Sequence, residues 1–315
     1  MVKGVKIGVL LLVFTLVLSA CGVEQSVGNS NNEPSGDSSS TQPIVVKFSH
    51  EGTPQSIKGQ AADKFKELLE SKSNGQFIVE VYPSSQLYTD NDAIEQIQYN
   101  NIQMIDPSMT KLVSFHPAFQ IVDMPFLFKD EDAWERFVDG EAMKKLYQTL
   151  EQYNMKVMTT WFGGFKQFTA NKPLRKPEDF AGLKFRTQSG MLLEEQFKAL
   201  NAAAVPLPFA EVYVALQQGV VDGQENTLNN IDTQKYYEVQ KYLTISNHGR
   251  LDWPVIVNKQ FWESLTPEQQ QVFKEALDEA TEFERGLNEK MQQDSLQKFI
   301  DENLFEEIYE LSEEE

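Results

Sequence analysis

The chain has 315 residues, a formal net charge of −19 and a hydrophobic fraction of 41%. That length suffices for two domains of ordinary size, and so acidic a chain argues against nucleic acid as a partner and against binding acidic lipid through a basic patch. A small anionic ligand is not excluded, because a buried site answers to its own donors more than to charges beyond a Debye length.

At the N-terminus Lys3 and Lys6 precede an apolar run, Val9 to Leu18, interrupted only by Thr15; Ser19-Ala20-Cys21 follow. This is the pattern of a secretion signal, assigned to residues 1–20. The run falls short of the roughly 20 apolar residues that a membrane span needs, which leaves an uncleaved anchor as the weaker alternative. Leu18-Ser19-Ala20-Cys21 also resembles a bacterial lipobox, in which the cysteine is acylated and anchors the protein to the outer side of the membrane. Cys21 is the only cysteine. It cannot pair within the chain, and attachment to the lipid bilayer gives it a purpose. Residues 21–42, rich in Ser, Asn and Gly, cannot bury enough surface to order themselves and read as a tether, with a reach of roughly 25 Å.

Beyond the tether, strands and helices alternate. Ile44 to Phe48 reads as a strand, and Ile57, Ala61, Ala62, Phe65, Leu68 and Leu69 share one helical face. Asn74-Gly75 ends that helix, and Phe77 to Tyr82 is a second strand. Strand, helix and strand with short joins imply a parallel crossover. A helix near 92–99, a strand around 102–105, a helix over 131–152 and a strand over 155–161 continue the pattern. Next come a strand at 183–186 and helices at 191–200 and 209–218, the latter stopped by Gly219. A strand at 255–258 precedes a helical period of about thirty residues from Pro267, well above the usual length for a compact domain. Such alternation indicates α/β layers.

Between Trp161 and Gly190 stand six basic residues, Lys166, Lys172, Arg175, Lys176, Lys184 and Arg186, against Glu178 and Asp179 alone. Aromatic residues interleave them: Trp161, Phe162, Phe165, Phe168, Phe180 and Phe185. Cations among aromatics suit a pocket for a small anion; a pair of strands with solvated lysines fits the same composition. Phosphate-binding glycine loops, paired-histidine metalloprotease motifs and nucleophile elbows are absent from the sequence. His50, His116 and His248 are far apart, and no metal site or cofactor is implied. Asp222 and Glu225 form the best candidate acid/base pair, yet Asp-Gly-Gln-Glu-Asn reads first as a polar turn feeding a strand or loop.

Several short motifs in order resemble the solute-binding proteins of tripartite ATP-independent (TRAP) transporters, the dicarboxylate-binding or DctP family. They are Val45-Val46-Lys47-Phe48-Ser49-His50, Tyr82-Pro83-Ser84-Ser85-Gln86-Leu87, Asp123-Met124-Pro125-Phe126-Leu127-Phe128 and Gly164-Phe165-Lys166-Gln167. Gly182-Leu183-Lys184-Phe185-Arg186 and the long run from Pro208-Phe209-Ala210-Glu211-Val212-Tyr213 to Asp222-Gly223-Gln224-Glu225-Asn226 complete the set.

The resemblance implies a two-domain, periplasmic-binding-protein-like (type II) α/β fold with a ligand cleft between the domains and a long bridging helix. The domains would be 43–162 with 252–291, and 163–251 with 292–315. It implies that Arg186 clamps a ligand carboxylate, its planar fork donating two parallel bonds that lysine cannot copy. An ordinary surface ion pair is the alternative for that arginine. Asn226 would reach the ligand; Phe209 would form a pocket wall, with core filling as its alternative; and His50 would lie at the cleft, with a structural role as the commoner one for a lone histidine. Lys166 stands where many members have a second basic group, often arginine; the lysine departs from that pattern, offering a point charge instead of a fork, and leaves contact with a second carboxylate open. The implied partners are a small carboxylate, with a four-carbon dicarboxylate ahead of sugar acids, sialic acid and keto acids, and the membrane permease subunits of a TRAP transporter. A sensor kinase as membrane partner and an extracytoplasmic hydrolase are the rival readings. Relatives of this kind usually continue past Glu315, so the chain reads as a helix or two shorter; Ser312 with Glu315 fits a capping box that would open such a helix.

Overall fold

The computed structural model describes residues 42–312; the expected leader, Cys21, all of the tether but Gln42, and Glu315 lie outside them. The chain forms β1 (Ile44–Ser49), α1 (Ile57–Lys72) and β2 (Phe77–Tyr82), with β1 and β2 parallel and Ile44 opposite Phe77. Ser56 caps α1 by accepting the Gly59 N–H. Asn74 and Gly75, both with positive φ, end it, as the sequence implied. Next come α2 (Asp90–Gln98), β3 (Met104–Ile105) and two 3-10 stretches, Met109–Ser114 and Pro117–Asp123. The helix expected over 131–152 is two helices, α3 (Glu131–Val138) and α4 (Glu141–Gln148), followed by a 3-10 turn. Gly140 takes an extended conformation between them (φ −78°, ψ 164°). Trp134, Val138, Met143 and Tyr147 nevertheless enter one core, which is why their spacing reads as a single period.

After β4 (Met155–Phe165) the chain builds a second lobe from β5 (Gln167–Ala170), β6 (Lys184–Thr187), α5 (Met191–Ala199), β7 (Ala203–Pro206), α6 (Val212–Gln217), β8 (Gly223–Asn226), α7 (Leu228–Thr233) and β9 (Tyr242–Ile245). The helix expected to start at Phe209 opens as a 3-10 turn and is α-helical only from Val212. The chain returns through β10 (Arg250–Asn258) to α8 (Lys259–Ser264), α9 (Pro267–Asp301) and β11 (Glu307–Glu310). The first sheet runs β2-β1-β3-β10-β4 and the second β11-β9-β5-β8-β6-β7.

α9 joins the two lobes. Phe273, Ala276, Leu277 and Ala280 pack into the core of the first sheet, and Phe299 into a core of the second with Tyr236 and Leu243. Thr266 and Gln269 cap its start reciprocally. Two backbone crossings complete the connection. Lys166 alone separates β4 from β5, residues 246–249 separate β9 from β10, and the Lys166 N–H donates to Gly249 O at 2.8 Å.

Candidate functional site

A cavity lies on the seam between the lobes. Its first-lobe wall comes from Glu51, Lys58, Asp90 and Lys111, with Leu251 and Trp253 of β10; its second-lobe wall comes from Arg186, Gln188, Phe209, Asn226 and Asn230. The cavity is small, about 30 Å³.

Arg186 reaches this cavity because successive strand residues face opposite ways: Phe185 packs among Phe168, Phe180 and Phe197, and Arg186 points to the other side. The guanidinium is 3% exposed. Its Nε and Nη2 donate to the Leu207 carbonyl at 3.0 and 2.8 Å, and among the described residues no carboxylate pairs with it. Burial pulls its pKa down, but a guanidinium does not lose its proton in a protein. The surface ion pair considered for Arg186 is thus replaced by a buried cation whose fork is aimed and only partly used.

Asn226 ends β8. Its Oδ1 accepts the Thr227 N–H at 3.1 Å and the Asn230 amide at 2.7 Å, which leaves its own Nδ2 for the cavity. Phe209, half-buried at the start of its 3-10 turn, lines the same space.

The first-lobe wall was not legible in the sequence. The Lys111 ammonium donates to Glu51 Oε1 and Asp90 Oδ2, both at 3.1 Å. Burial and then the Asp90 charge push Glu51 up. Burial also pulls Asp90 upward, but Lys111 and Lys58 outweigh it and hold that carboxyl below its ordinary range. Lys58, on the first turn of α1, donates to the Asp106 carbonyl at 2.8 Å and lies 4.8 Å from the Trp253 ring centre. One signal existed for it: positions 58, 62, 65 and 69 share a helical face, so a lysine interrupts an otherwise apolar stripe.

The other two expected residues lie elsewhere. His50 is 1% exposed and neither ring nitrogen makes a hydrogen bond; burial first, and Lys58 second, push it down to about 3. It does not line the cavity. Nor does Lys166: its Nζ sits 2.5 Å from Glu225 Oε1, with Asp123 Oδ1 at 3.9 Å. Glu225 Oε2 also meets His248 Nε2 at 2.8 Å and accepts from Gln196 at 2.9 Å. Burial alone would raise the Glu225 carboxyl, but Lys166 and His248 hold it far below the usual range. The His248 ring stacks on Phe168 at 3.9 Å, and its Nδ1 lies 2.7 Å from Ser246 Oγ. This cluster bolts together the two crossings. Asp222 accepts the Lys184 N–H instead, so Asp222 and Glu225 do not act as a pair.

A hydrogen bond spans the seam directly, from the Ile57 N–H of α1 to Asn229 Oδ1 of α7 at 3.2 Å. The cavity therefore offers fixed donors, apolar walls and closure by two lobes. Those are the means of holding an anion away from water, and no activated nucleophile accompanies them among the described residues. Among the same residues no group of histidine, cysteine and acidic side chains is placed to hold a metal ion.

Comparison with known proteins gives concordant matches. Residues 48–315 match the family model DctP, described as bacterial extracellular solute-binding protein, family 7. The chain is 44% identical over 278 residues to the C4-dicarboxylate-binding periplasmic protein DctP of Rhodobacter capsulatus, covering 87% of this chain and 82% of that protein. Among solved structures it is similar to a TRAP periplasmic solute-binding protein from Shewanella oneidensis with bound succinate, with TM-score 0.84, 40% identity and coverage of 86% and 89%. A TRAP periplasmic solute-binding protein from Pseudomonas aeruginosa with bound L-malate aligns with TM-score 0.83 and 35% identity, covering 87% of this chain and 95% of that one.

Proposed function

The chain belongs to the DctP family of bacterial extracellular solute-binding proteins, and on that premise we propose that it captures a four-carbon dicarboxylate outside the cytoplasm and delivers it to the permease of a TRAP transporter. It is a binding protein and not an enzyme. The observation that carries the ligand reading is Arg186: a buried guanidinium, aimed by a main-chain carbonyl into a cavity between lobes and lacking a carboxylate partner among the described residues. Relatives named or solved with four-carbon dicarboxylates support the choice among acids. The lobes act as the domains 43–162 with 252–291 and 163–251 with 292–315, closing on the ligand. Each carries its own sheet, which supports this division.

No helix among the described residues is long and apolar enough to cross a membrane. Attachment through acylated Cys21 completes the reading, supported by the Leu18-Ser19-Ala20-Cys21 run. Cys21→Ala should leave the precursor unprocessed or release protein to the medium; normal processing and membrane attachment of that variant would refute the anchor. For the ligand, a thermal-shift screen over organic acids decides. A ligand at 100 times its dissociation constant adds about 2.7 kcal/mol of stability. Stabilisation by succinate or malate is expected. A shift with sugar acids or keto acids and none with four-carbon dicarboxylates would overturn the proposal.

A further inference from the structure

We infer that Lys58 is the second anchor of the cavity, taking the far carboxylate of a dicarboxylate whose near carboxylate lies on Arg186. The inference rests on the ligand reading just given. Among the described residues, the other cations buried at or near the seam are accounted for. Lys166 is held by Glu225 outside the cavity. Lys111 is held between Glu51 and Asp90 at 3.1 Å each. Arg250 is matched by Glu131 and Asp252 and does not line the cavity. Arg186 belongs to the second lobe and takes one end of the ligand.

Lys58 differs from Lys111 in its hydrogen bonds. It is 4% exposed, and its one hydrogen bond among the described residues goes to a neutral main-chain acceptor, the Asp106 carbonyl. The nearest carboxylate oxygen, Asp106 Oδ1, is 3.5 Å away, too far for a good hydrogen bond, and neither Asp106 oxygen has a hydrogen-bond partner. Burial drives the Asp106 carboxyl well above its ordinary range, toward the neutral form. The ammonium thus keeps two N–H groups without a hydrogen-bond acceptor among the described residues, while the Asp106, Asp90 and Glu51 carboxyls interact with it only through charge.

Placement agrees with that role. Lys58 comes from α1 in the first lobe and Arg186 from β6 in the second, so an anion at each end of a short ligand ties the lobes together. The stem of Lys58 lies over Gly52. A Cβ there would stand 2.5 Å from Ser56 Oγ and 3.3 Å from Lys58 Cβ and Cδ, so the glycine keeps that room open. Trp253 lies beneath the ammonium, and Leu251 and Phe209 offer apolar wall for the methylenes between two carboxylates.

The test compares succinate with succinamate, its monoamide, which has nearly the same shape and one charged end. Calorimetry on wild-type protein should show succinate preferred by roughly 30-fold or more. Lys58→Gln should bring the two within about threefold, mainly by weakening succinate, whereas Arg186→Lys should weaken both. Should Lys58→Gln not fold, Lys58→Met, whose chain matches the lysine stem, is the neutral variant. Equal binding of the two acids by wild type, or a Lys58 variant that keeps the preference or weakens both acids alike, overturns the inference. Wild-type protein that binds neither while binding another acid refutes the dicarboxylate reading instead.

Discussion

The crossing between the lobes and the cavity beside it each bury a cation from the same basic stretch, Lys166 and Arg186, and each leaves it 3% exposed. At the crossing the charge is fully matched: Lys166 to Glu225, Glu225 to His248, and His248 to Ser246. In the cavity the guanidinium has a carbonyl to hold its aim and, among the described residues, no anion. Taking a charge out of water costs several kcal/mol unless a partner is supplied. The crossing supplies the partner within the chain and gains a fixed joint. The cavity leaves that place open, which makes the ligand the missing partner. What distinguishes a structural buried charge from a functional one here is who completes it.

The largest expected effect breaks the cavity side alone. Arg186→Ala should cost the ligand about 3–5 kcal/mol, or about two to three and a half decades of affinity, while the ligand-free protein melts near the wild-type temperature. Calorimetry with the best acid from the screen measures the first and a melting curve the second; binding within a few-fold of wild type would dissolve the contrast.

Glu225→Gln should do the reverse, lowering unfolding free energy by about 3–5 kcal/mol because Lys166 is left buried with only Asp123 at 3.9 Å. Denaturant titration without ligand checks this. A loss under about 1 kcal/mol would mean that the joint tolerates an unmatched charge as well as the cavity does.

The two histidines sharpen the comparison through pH. His50, ordinarily near 6.5, is pushed down to about 3, so the folded protein refuses a proton that the unfolded chain accepts. Its contribution is whole above pH 6.5 and is lost progressively as pH falls toward 3. His50→Gln should therefore flatten the fall of melting temperature across that window. His248→Gln should flatten it less, because burial lowers His248 but Glu225 pulls it back. Asp123, pushed up to about 6 by burial, adds stability as pH falls through its own window, so the differences between variants and wild type carry the prediction. Equal slopes for wild type and His50→Gln would show that His50 takes up its proton without cost.

The smallest effect concerns closure. Asn229→Ala removes the bond from Ile57 across the seam, worth about 1 kcal/mol. Ligand release in stopped flow should quicken about fivefold with association unchanged; an unaltered release rate would remove Asn229 from closure.

Much of the scaffold was legible because its apolar spacing is regular. β1, α1 and β2 follow from alternation and a helical stripe, and α9 from a capped period that runs through two cores. β5 and β8 were not foreseen as strands: Gln167, Thr169, Gln224, Glu225 and Asn226 are polar residues buried where the lobes meet, so the usual apolar signal is missing. The site divides the same way. Arg186, Asn226 and Phe209 were reached through short motifs and do line one cavity. Glu51, Lys58, Asp90 and Lys111 come from four separate segments of the first lobe, and their proximity is a property of the fold alone. The pairing of Lys166 was not legible because a local motif reveals a cation but not the carboxylate, 59 positions away, that pairs with it.

The acceptor that aims Arg186 is the main-chain carbonyl of residue 207. Every amino acid carries that group, so replacing the Leu207 side chain leaves it in place wherever the backbone path survives. The opposite wall is built from side chains, each open to exchange one at a time. The aim of Arg186 is therefore insulated from mutation at position 207, while the choice of what the carboxylate is attached to can drift. With Arg186 kept, diversification by this route needs no intermediate that has lost its grip on anions altogether.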